Sequence, residues 1–521
     1  MPPILATCAL AASLLATVPA HAAPALPSTH VAWLPAAADA DIERAFARAR
    51  AEKKPVLLYW GASWCPPCNQ LKATLFNRQD FAALSRSFVA VHVDGDRPGA
   101  QKLGQRFKVS GYPTVVLFKA DGTEITRLPG EADAPQVMAV LQLGLAGGRP
   151  VKAVLADALA GKPLPGNDWR LLAFYSWETD EQQRVPRTDL PGVLVRLAAA
   201  SPAADTETTT RLWLKALAAS DEGQGVRADA ALRERVQRVL ADPLQTRAQM
   251  DVLSGGAADI VRALEAEDAP GRAPLVAAFE TALRRLEADP TLSRGDRLGA
   301  LVARIDLARL DLTGDTVQVA LPESLLKDVR EHVARADREI TDGYERQAVI
   351  TAAAYALGRA GLWADSEALL KSNLAKSHSP YYLMSQLGGN ARKLGHKDEA
   401  LRWYEQAFDK SEGPATRLQW GASYLTALIE LAPQDGARIE KAAAQLLAEA
   451  GRDAGAFAGR SMRSLQRAGG KLASWGADGQ AATVLRRLQA QWGGICAKAA
   501  AAEGQRAACA GLLKPATKKA A

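Results

Sequence analysis

Two cysteines separated by two prolines, in Trp64-Cys65-Pro66-Pro67-Cys68, are the residues of this chain best placed to do chemistry. The apolar run Val56 to Trp60 reads as a buried strand leading into them, and Leu71, Leu75 and Phe76 recur beyond them at helical spacing. Cys65 is thus expected at the first turn of a helix, where unpaired N–H groups and the helix dipole favour a thiolate. Such a thiolate attacks a substrate disulfide to form a mixed disulfide, and Cys68, one turn further in, is placed to resolve it. A zinc knuckle would need a second Cys-x-x-Cys or a Cys/His pair at ligand spacing, which the sequence lacks. Haem attachment would need His after the second cysteine, where Asn69 stands. An inert structural disulfide is the remaining alternative, and the strand–turn–helix setting favours redox chemistry over it.

The elements around this pair alternate. A helix is expected from Asp39 or Asp41 through Ile42, Ala45, Phe46 and Ala49, ended by Pro55. Val89, Val91 and Val93 alternate as a strand, Leu103 and Phe107 mark a short helix, and Pro113 opens a strand over 114–118. Asp121-Gly122 is a hairpin turn signal before a partner strand over 124–128, and Asp133 with Pro135 starts a last helix. With Val31-Ala32-Trp33 as a first strand, the order is β-α-β-α-β-α-β-β-α.

Taken with Gly111-Tyr112-Pro113-Thr114, the Trp-Cys-Pro-Pro-Cys segment makes residues 30–146 resemble a thioredoxin-family domain. The Gly-Ala-Ser-Trp-Cys lead-in is similar to periplasmic members, including the C-terminal domain of the membrane thiol:disulfide interchange reductase. The resemblance implies that Cys65 attacks and Cys68 resolves. It also implies that Pro113 is cis and faces the cysteines, pairing substrate backbone with Trp64 and Tyr112 beside it; read without it, Pro113 is a strand-starting proline. One position departs from the family pattern. Cytosolic members carry a buried Asp six residues before the first cysteine, and Tyr59 stands there. Proton transfer during resolution is then left to water or to a group such as Glu52 or Lys54. Pro66 and Pro67 have neither charge nor N–H to stabilise the Cys65 thiolate, which points to a reductase or isomerase in preference to a strong oxidase.

Beyond Gly147-Gly148-Arg149-Pro150 the composition turns to Ala, Leu and Arg, and amphipathic helical patterns follow one another. Gly361, Ser366, Leu370 and Pro380 recur 34 positions later as Gly395, Ala400, Tyr404 and Pro414, a period that resembles the tetratricopeptide repeat. Gly suits the inter-helix turn, small Ser366 or Ala400 lets helices approach, and Pro is expected to end the second helix. The reading is an α/β thioredoxin-like domain followed by an all-α helical-repeat solenoid. Its parts are a signal peptide (1–22), the thioredoxin-like domain (30–146), a helical domain of degenerate repeats or another helical solenoid (151–340), tetratricopeptide-like repeats (341–495) and a C-terminal segment with a Cys pair and basic tail (496–521).

Ile4 to Val18 is a short apolar run followed by Ala20-His21-Ala22, the small-x-small form of a signal-peptidase site, although Met1-Pro2-Pro3 carries no Lys or Arg. Cys8 leaves with that segment. The other four cysteines fall into pairs, as an oxidising compartment favours. Cys496 and Cys509 read as a structural disulfide whose loop contributes roughly 3 kcal/mol on the loop-entropy model, or else as a relay redox pair. The six His are scattered, and no metal or cofactor is expected. A net charge of +7 spread along 521 residues, with the one basic clump in the tail from Lys514 to Lys519, speaks against nucleic-acid binding. The expected function is exchange with protein thiols and disulfides in the periplasm, supplied by an unidentified redox donor, with the repeats recruiting a protein partner or substrate. No integral membrane segment is expected in the mature chain. The alternative is a repeat-based interaction scaffold carrying a thioredoxin-like binding module.

Overall fold

The computed structural model describes residues 30–513, apart from 110, 131, 178, 181–183, 221–224, 313–316, 454, 478 and 499–502. The expected signal peptide and the basic tail lie outside the described residues.

Five strands form one sheet: β1 (Leu34–Ala36), β2 (Val56–Gly61), β3 (Val89–Asp94), β4 (Thr114–Phe118) and β5 (Glu124–Leu128), in the order β1-β3-β2-β4-β5. β1 and β2 run parallel to β3, while β4 is antiparallel to β2 and to β5. All of β2 is buried, because both faces of the sheet are covered, and its sequence accordingly shows no polar alternation. The pleat sends Val56, Leu58 and Trp60 into a core shared with α1 (Asp39–Glu52), whose buried stripe is Ile42, Ala45, Phe46 and Ala49. Leu57 and Tyr59 face the other way, into a second core that also contains Cys65 and Cys68.

After β2 the chain forms α2 (Pro66–Leu71), which runs on as a π-turn through Lys72–Phe76, and then α3 (Gln79–Leu84). α4 (Ala100–Arg106) and α5 (Ala134–Leu145) complete the unit. Asp133 caps α5 by accepting from the Gln136 N–H at 3.2 Å. Two details differ from the sequence expectation. The first strand is Leu34–Ala36, paired Leu34 to Val91, and Trp33 instead lays its ring near Tyr59 and Phe76, at centroid distances of 5.7 and 5.1 Å. α3 was not expected; it buries Phe81 and Ala82 in a stretch with no visible period.

From α6 (Val151–Leu159) and α7 (Gly166–Ala173) onward, the described residues form helices only, through Glu503–Gly511. The linker after α5 leaves no gap between the two parts. α6 packs on β5, α7 packs on α5, and the second core runs continuously from the sheet into the helical layer. Ser176 donates its N–H to the Arg127 carbonyl at 3.1 Å, covering the outer edge of β5. Arg127 is itself buried and donates to the carbonyls of Phe107, Lys108 and Thr179.

The 34-residue period corresponds to successive helical hairpins. Gly361 and Gly395 sit at the turns with φ of +79° and +81°, where a side chain would be strained. Ser366 and Ala400 are fully buried at the helix contacts. Pro380 and Pro414 differ from the expectation: each opens the following helix, Pro380–Lys393 and Pro414–Leu431, where its missing N–H costs nothing.

One buried ion pair ties the helical layer together beside α7. Arg211, on the helix Thr206–Ala218, donates to Asp251 (2.9 Å) and to the Ala173 carbonyl (3.2 Å). Burial alone would raise the Asp251 carboxyl, but the Arg211 guanidinium holds it below its usual value. Removing one partner leaves a buried charge unpaired, so Asp251→Ala is expected to lower unfolding free energy by about 3–5 kcal/mol. Urea denaturation followed by circular dichroism checks this.

Candidate redox active site

β2 delivers the chain to the site at Gly61, and the residues from 62 to 65 turn it into α2. Cys65 occupies the N-cap of α2 with extended backbone (φ −68°, ψ 116°). Pro66 and Pro67 fill the first two helical positions, so the first available donor is the Cys68 N–H, which reaches Cys65 Sγ at 3.2 Å. Cys65 and Cys68 are joined as a disulfide, with their Cα atoms 5.2 Å apart. Asn69 braces the loop from inside, donating to the carbonyls of Ser63 (2.7 Å) and Cys65 (2.9 Å). The Tyr112–Pro113 peptide is cis. The two loops meet through their aromatic residues, with the Trp64 and Tyr112 rings 6.2 Å apart.

Beneath the pair lie two uncharged rings, those of Tyr59 and His92. Burial, and after it Asp94, pushes the Tyr59 phenol upward, so it stays protonated and can donate but not act as a base. Its hydroxyl is buried without a hydrogen-bond partner among the described residues. A Cβ added at Gly61 would lie 2.3 Å from that hydroxyl, so the ring reaches toward the cysteine end of β2. His92 pairs with Tyr59 across the strands and stacks on it at 4.8 Å. Burial lowers the imidazole to about 4, against an upward pull from Asp94, and His92 is neutral at physiological pH. Glu52 and Lys54 form an ion pair with each other at 2.9 Å. They precede β2 at the end opposite Gly61, roughly 20 Å away along the strand. The geometry does not support them as proton carriers for Cys68.

The site has a roof that sequence reasoning missed. Cys65 is 2 % exposed and Cys68 0 %. Trp64 donates from Nε1 to Asp96 at 2.7 Å, stacks on Tyr382 at 5.9 Å, and lies 5.6 Å from Trp420. The Arg460 guanidinium sits 4.6 Å from the Trp64 ring and 5.1 Å from the Tyr112 ring. Gln347 donates to the Trp64 carbonyl at 3.3 Å, and His378 Nε2 lies 3.0 Å from the Ser63 carbonyl oxygen. Thr416 hydrogen-bonds Asp96. Gln347, His378, Tyr382, Thr416, Trp420 and Arg460 come from helices and a connecting turn more than 280 positions downstream, and each alone reads as an ordinary packing or surface residue.

Cys496 and Cys509 are bonded to each other, with Cα atoms 5.7 Å apart, in the helices Gly479–Lys498 and Glu503–Gly511. They lie away from Cys65. On the helix Gly459–Trp475, Arg460 meets Trp64, while Gly469, about 13 Å along the axis, lies against Leu512. Trp403 and Tyr404 pack within the helical layer, Tyr404 over Gly388.

Comparison with known proteins agrees with this geometry. Residues 42–144 match the family model of a thioredoxin-like domain. The chain is similar to thiol:disulfide interchange protein DsbD 2 of Pseudomonas aeruginosa, 32% identical over 111 residues that cover 20% of this chain and 19% of the relative. It is also similar to the DsbD of Klebsiella pneumoniae, 30% identical over 142 residues, 26% of this chain and 23% of the relative. The chain thus spans about a fifth of the length of these curated relatives. Among solved structures, a DsbH oxidoreductase aligns at 17% identity and TM-score 0.21, covering 25% of this chain and 96% of that one.

Asp96 gives the site a pH signature. Burial pushes its carboxyl up to about 6, with Asp94 adding to the shift and Thr416, Trp64 and Arg460 opposing it. Between about pH 4 and 6 the folded chain therefore keeps a proton that the unfolded chain releases. Stability from this group is full below pH ~4 and falls as pH rises through about 6. Asp96→Asn is expected to remove that decline, up to about 3 kcal/mol. Urea midpoints at pH 4 and pH 7, compared between the two chains, read it out; equal declines would mean that Asp96 ionises normally.

Proposed function

We propose that this chain, whose residues 42–144 form a thioredoxin-like domain, is an exported thiol–disulfide oxidoreductase acting on protein disulfides through Cys65 and Cys68. The observation that carries the reading is the placement of Cys65 at the N-cap of α2, its sulfur receiving the Cys68 N–H. The loop of Tyr112 and Pro113 supports the same reading, with the Tyr112 ring 6.2 Å from Trp64.

In the reducing direction Cys65 acts as a thiolate. It attacks one sulfur of a substrate disulfide, the substrate S–S bond breaks, and the departing thiolate takes a proton from water. Cys68 loses its proton and attacks Cys65 Sγ, the mixed disulfide breaks, and the second substrate sulfur leaves as a thiolate that is then protonated. Two electrons have passed to the substrate, and the chain holds the Cys65–Cys68 disulfide until a dithiol donor reduces it. Tyr59 and His92, held neutral, offer no carboxylate to take the Cys68 proton, so resolution relies on water. Trp64 and Tyr112 flank the sulfur as substrate contacts. A single N–H is the one local hydrogen bond offered to Cys65 Sγ by the helix start, which supports reductase or isomerase poise. Export rests on residues 1–22 as a leader and on two disulfides that an oxidising compartment preserves. The helical layer supplies the surface for a protein partner, and Cys496–Cys509 fastens its end.

The roof over Cys65 favours one second reading, a repeat scaffold whose thioredoxin-like unit only binds. The two readings separate on the redox equilibrium of the pair, measured by thiol trapping in glutathione or dithiothreitol buffers. The expected potential is at or below roughly −220 mV. A value near roughly −120 mV would make the chain an oxidant, and a pair with no reversible disulfide would leave the scaffold. Cys68→Ser is expected to accumulate a mixed disulfide at Cys65, visible by mass spectrometry, and Cys65→Ser to form none.

A further inference from the structure

A sulfur that exchanges with another protein's disulfide must be approached in line with the bond it attacks, and here that approach is shut. Cys65 is 2 % exposed and Pro113 is buried, while Ser63 and Pro67 on the rim are exposed. The covering layer therefore ends just beyond the sulfur, and a small displacement would uncover it. The groups that hold it are of a kind suited to release. Gln347 and His378 hold backbone carbonyls of the cysteine loop, Thr416 holds Asp96, and Arg460 lies across two rings. These polar and cation–π contacts, beside the Tyr382 and Trp420 rings that pack on Trp64, are of the kind found at interfaces that open.

The approach at the Asp96 corner is unusually close. Gly413, at φ +84°, precedes the helix Pro414–Leu431, and a Cβ there would sit 2.7 Å from Asp96 Cβ. Arg460 fixes the opposite corner twice, through its guanidinium and through its own N–H, which donates to Gln101 Oε1 at 2.9 Å. Gln101 in turn donates to the Tyr112 hydroxyl at 2.7 Å. Both loops of the site are thus fastened to the same layer, one at Trp64 and one at Tyr112.

We propose that the segment carrying Gly413, Thr416 and Arg460 is an autoinhibitory cover latched over Cys65 and Cys68, which must lift before the pair can meet a protein disulfide. Its purpose rests on the oxidoreductase reading; its existence does not. Opened, the same chain offers Cys65 together with the freed Trp64 and Tyr112 rings, so recruitment of a partner to the helical layer and exposure of the sulfur become one event.

The test is alkylation of Cys65 by N-ethylmaleimide in the dithiothreitol-reduced, folded full chain, with Cys65 distinguished from Cys68 by fragmentation of their shared peptide and from Cys496 and Cys509 by peptide mass. The parent chain is compared with Arg460→Ala and with Gly413→Ala, which pushes the cover off Asp96 without altering a loop contact of Arg460. Circular dichroism confirms that each is folded. Expected is a Cys65 rate in both variants about tenfold or more above the parent's, the scale of a local opening made cheaper by a lost contact. For Arg460→Ala the lost cation works against this, since it disfavours the thiolate. Equal rates in parent and variants overturn the cover. Should a variant fail to fold, hydrogen exchange at the amides of Ser63 and Trp64 in the unaltered chain decides: strong protection upholds the cover, and exchange at open-chain rates overturns it. A shielded Cys65 with no reversible potential would sink the oxidoreductase reading alone, and a reversible pair with freely alkylated Cys65 would sink the cover alone.

Discussion

The indole of Trp64 is the contact on which the arrangement turns. Its N–H is satisfied by Asp96, one face meets Tyr382, and Arg460 lies over the ring, so a residue next to Cys65 is fixed by groups from both parts of the chain. A buried indole needs a partner for its donor, and a buried carboxylate needs donors of its own. Trp64 and Thr416 meet both needs at Asp96, which makes the corner stable only when sheet and helical layer are assembled.

From that corner the rest follows by shared packing. β2 ends at Gly61 and hands the chain to α2, and α2 is pressed from above by the helix Gly343–Arg359. The face of the sheet bearing Leu57 and Tyr59 has no separate core; its apolar side chains continue into the helices. The apolar core of the opposite face, under α1 and α4, is separate, and α4 meets the helical layer through its outer side, at the helix Gly459–Trp475. The chemistry-bearing side is thus the side committed to the helical layer. A tyrosine at position 59 suits this, because burial keeps its phenol protonated and uncharged where a carboxylate would be strained.

What the sequence made legible was what is local. The cysteine pair, the unalternating β2, the hairpin at Asp121-Gly122, the cap at Asp133 and the glycine turns at 34-residue spacing each depend on a few neighbouring residues. The first strand slipped by three positions, because Val31 to Trp33 and Leu34 to Ala36 are similarly apolar and only the packing of Trp33 on Tyr59 and Phe76 distinguishes them. Pro380 and Pro414 open helices where the sequence alone reads as closing them, since proline stops one helix and starts the next with equal ease. The roof was invisible for a different reason. Asp96 and Thr416 are 320 residues apart, and no periodicity links an acid in a loop to a threonine at a helix start.

The covered edge of β5 has a bearing on how this chain can be divided. The Ser176 N–H occupies the outward carbonyl of Arg127, a group that an isolated sheet would present to solvent as a template for other strands, and the Thr179 carbonyl takes up the Arg127 guanidinium beside it. Cut away at the end of α5, the thioredoxin-like unit would carry a raw edge together with the apolar face that now meets α6 and α7, a combination that invites aggregation. The helical layer therefore shields the sheet on its β5 side, and a cut after α5 would uncover both the edge and the apolar face at once.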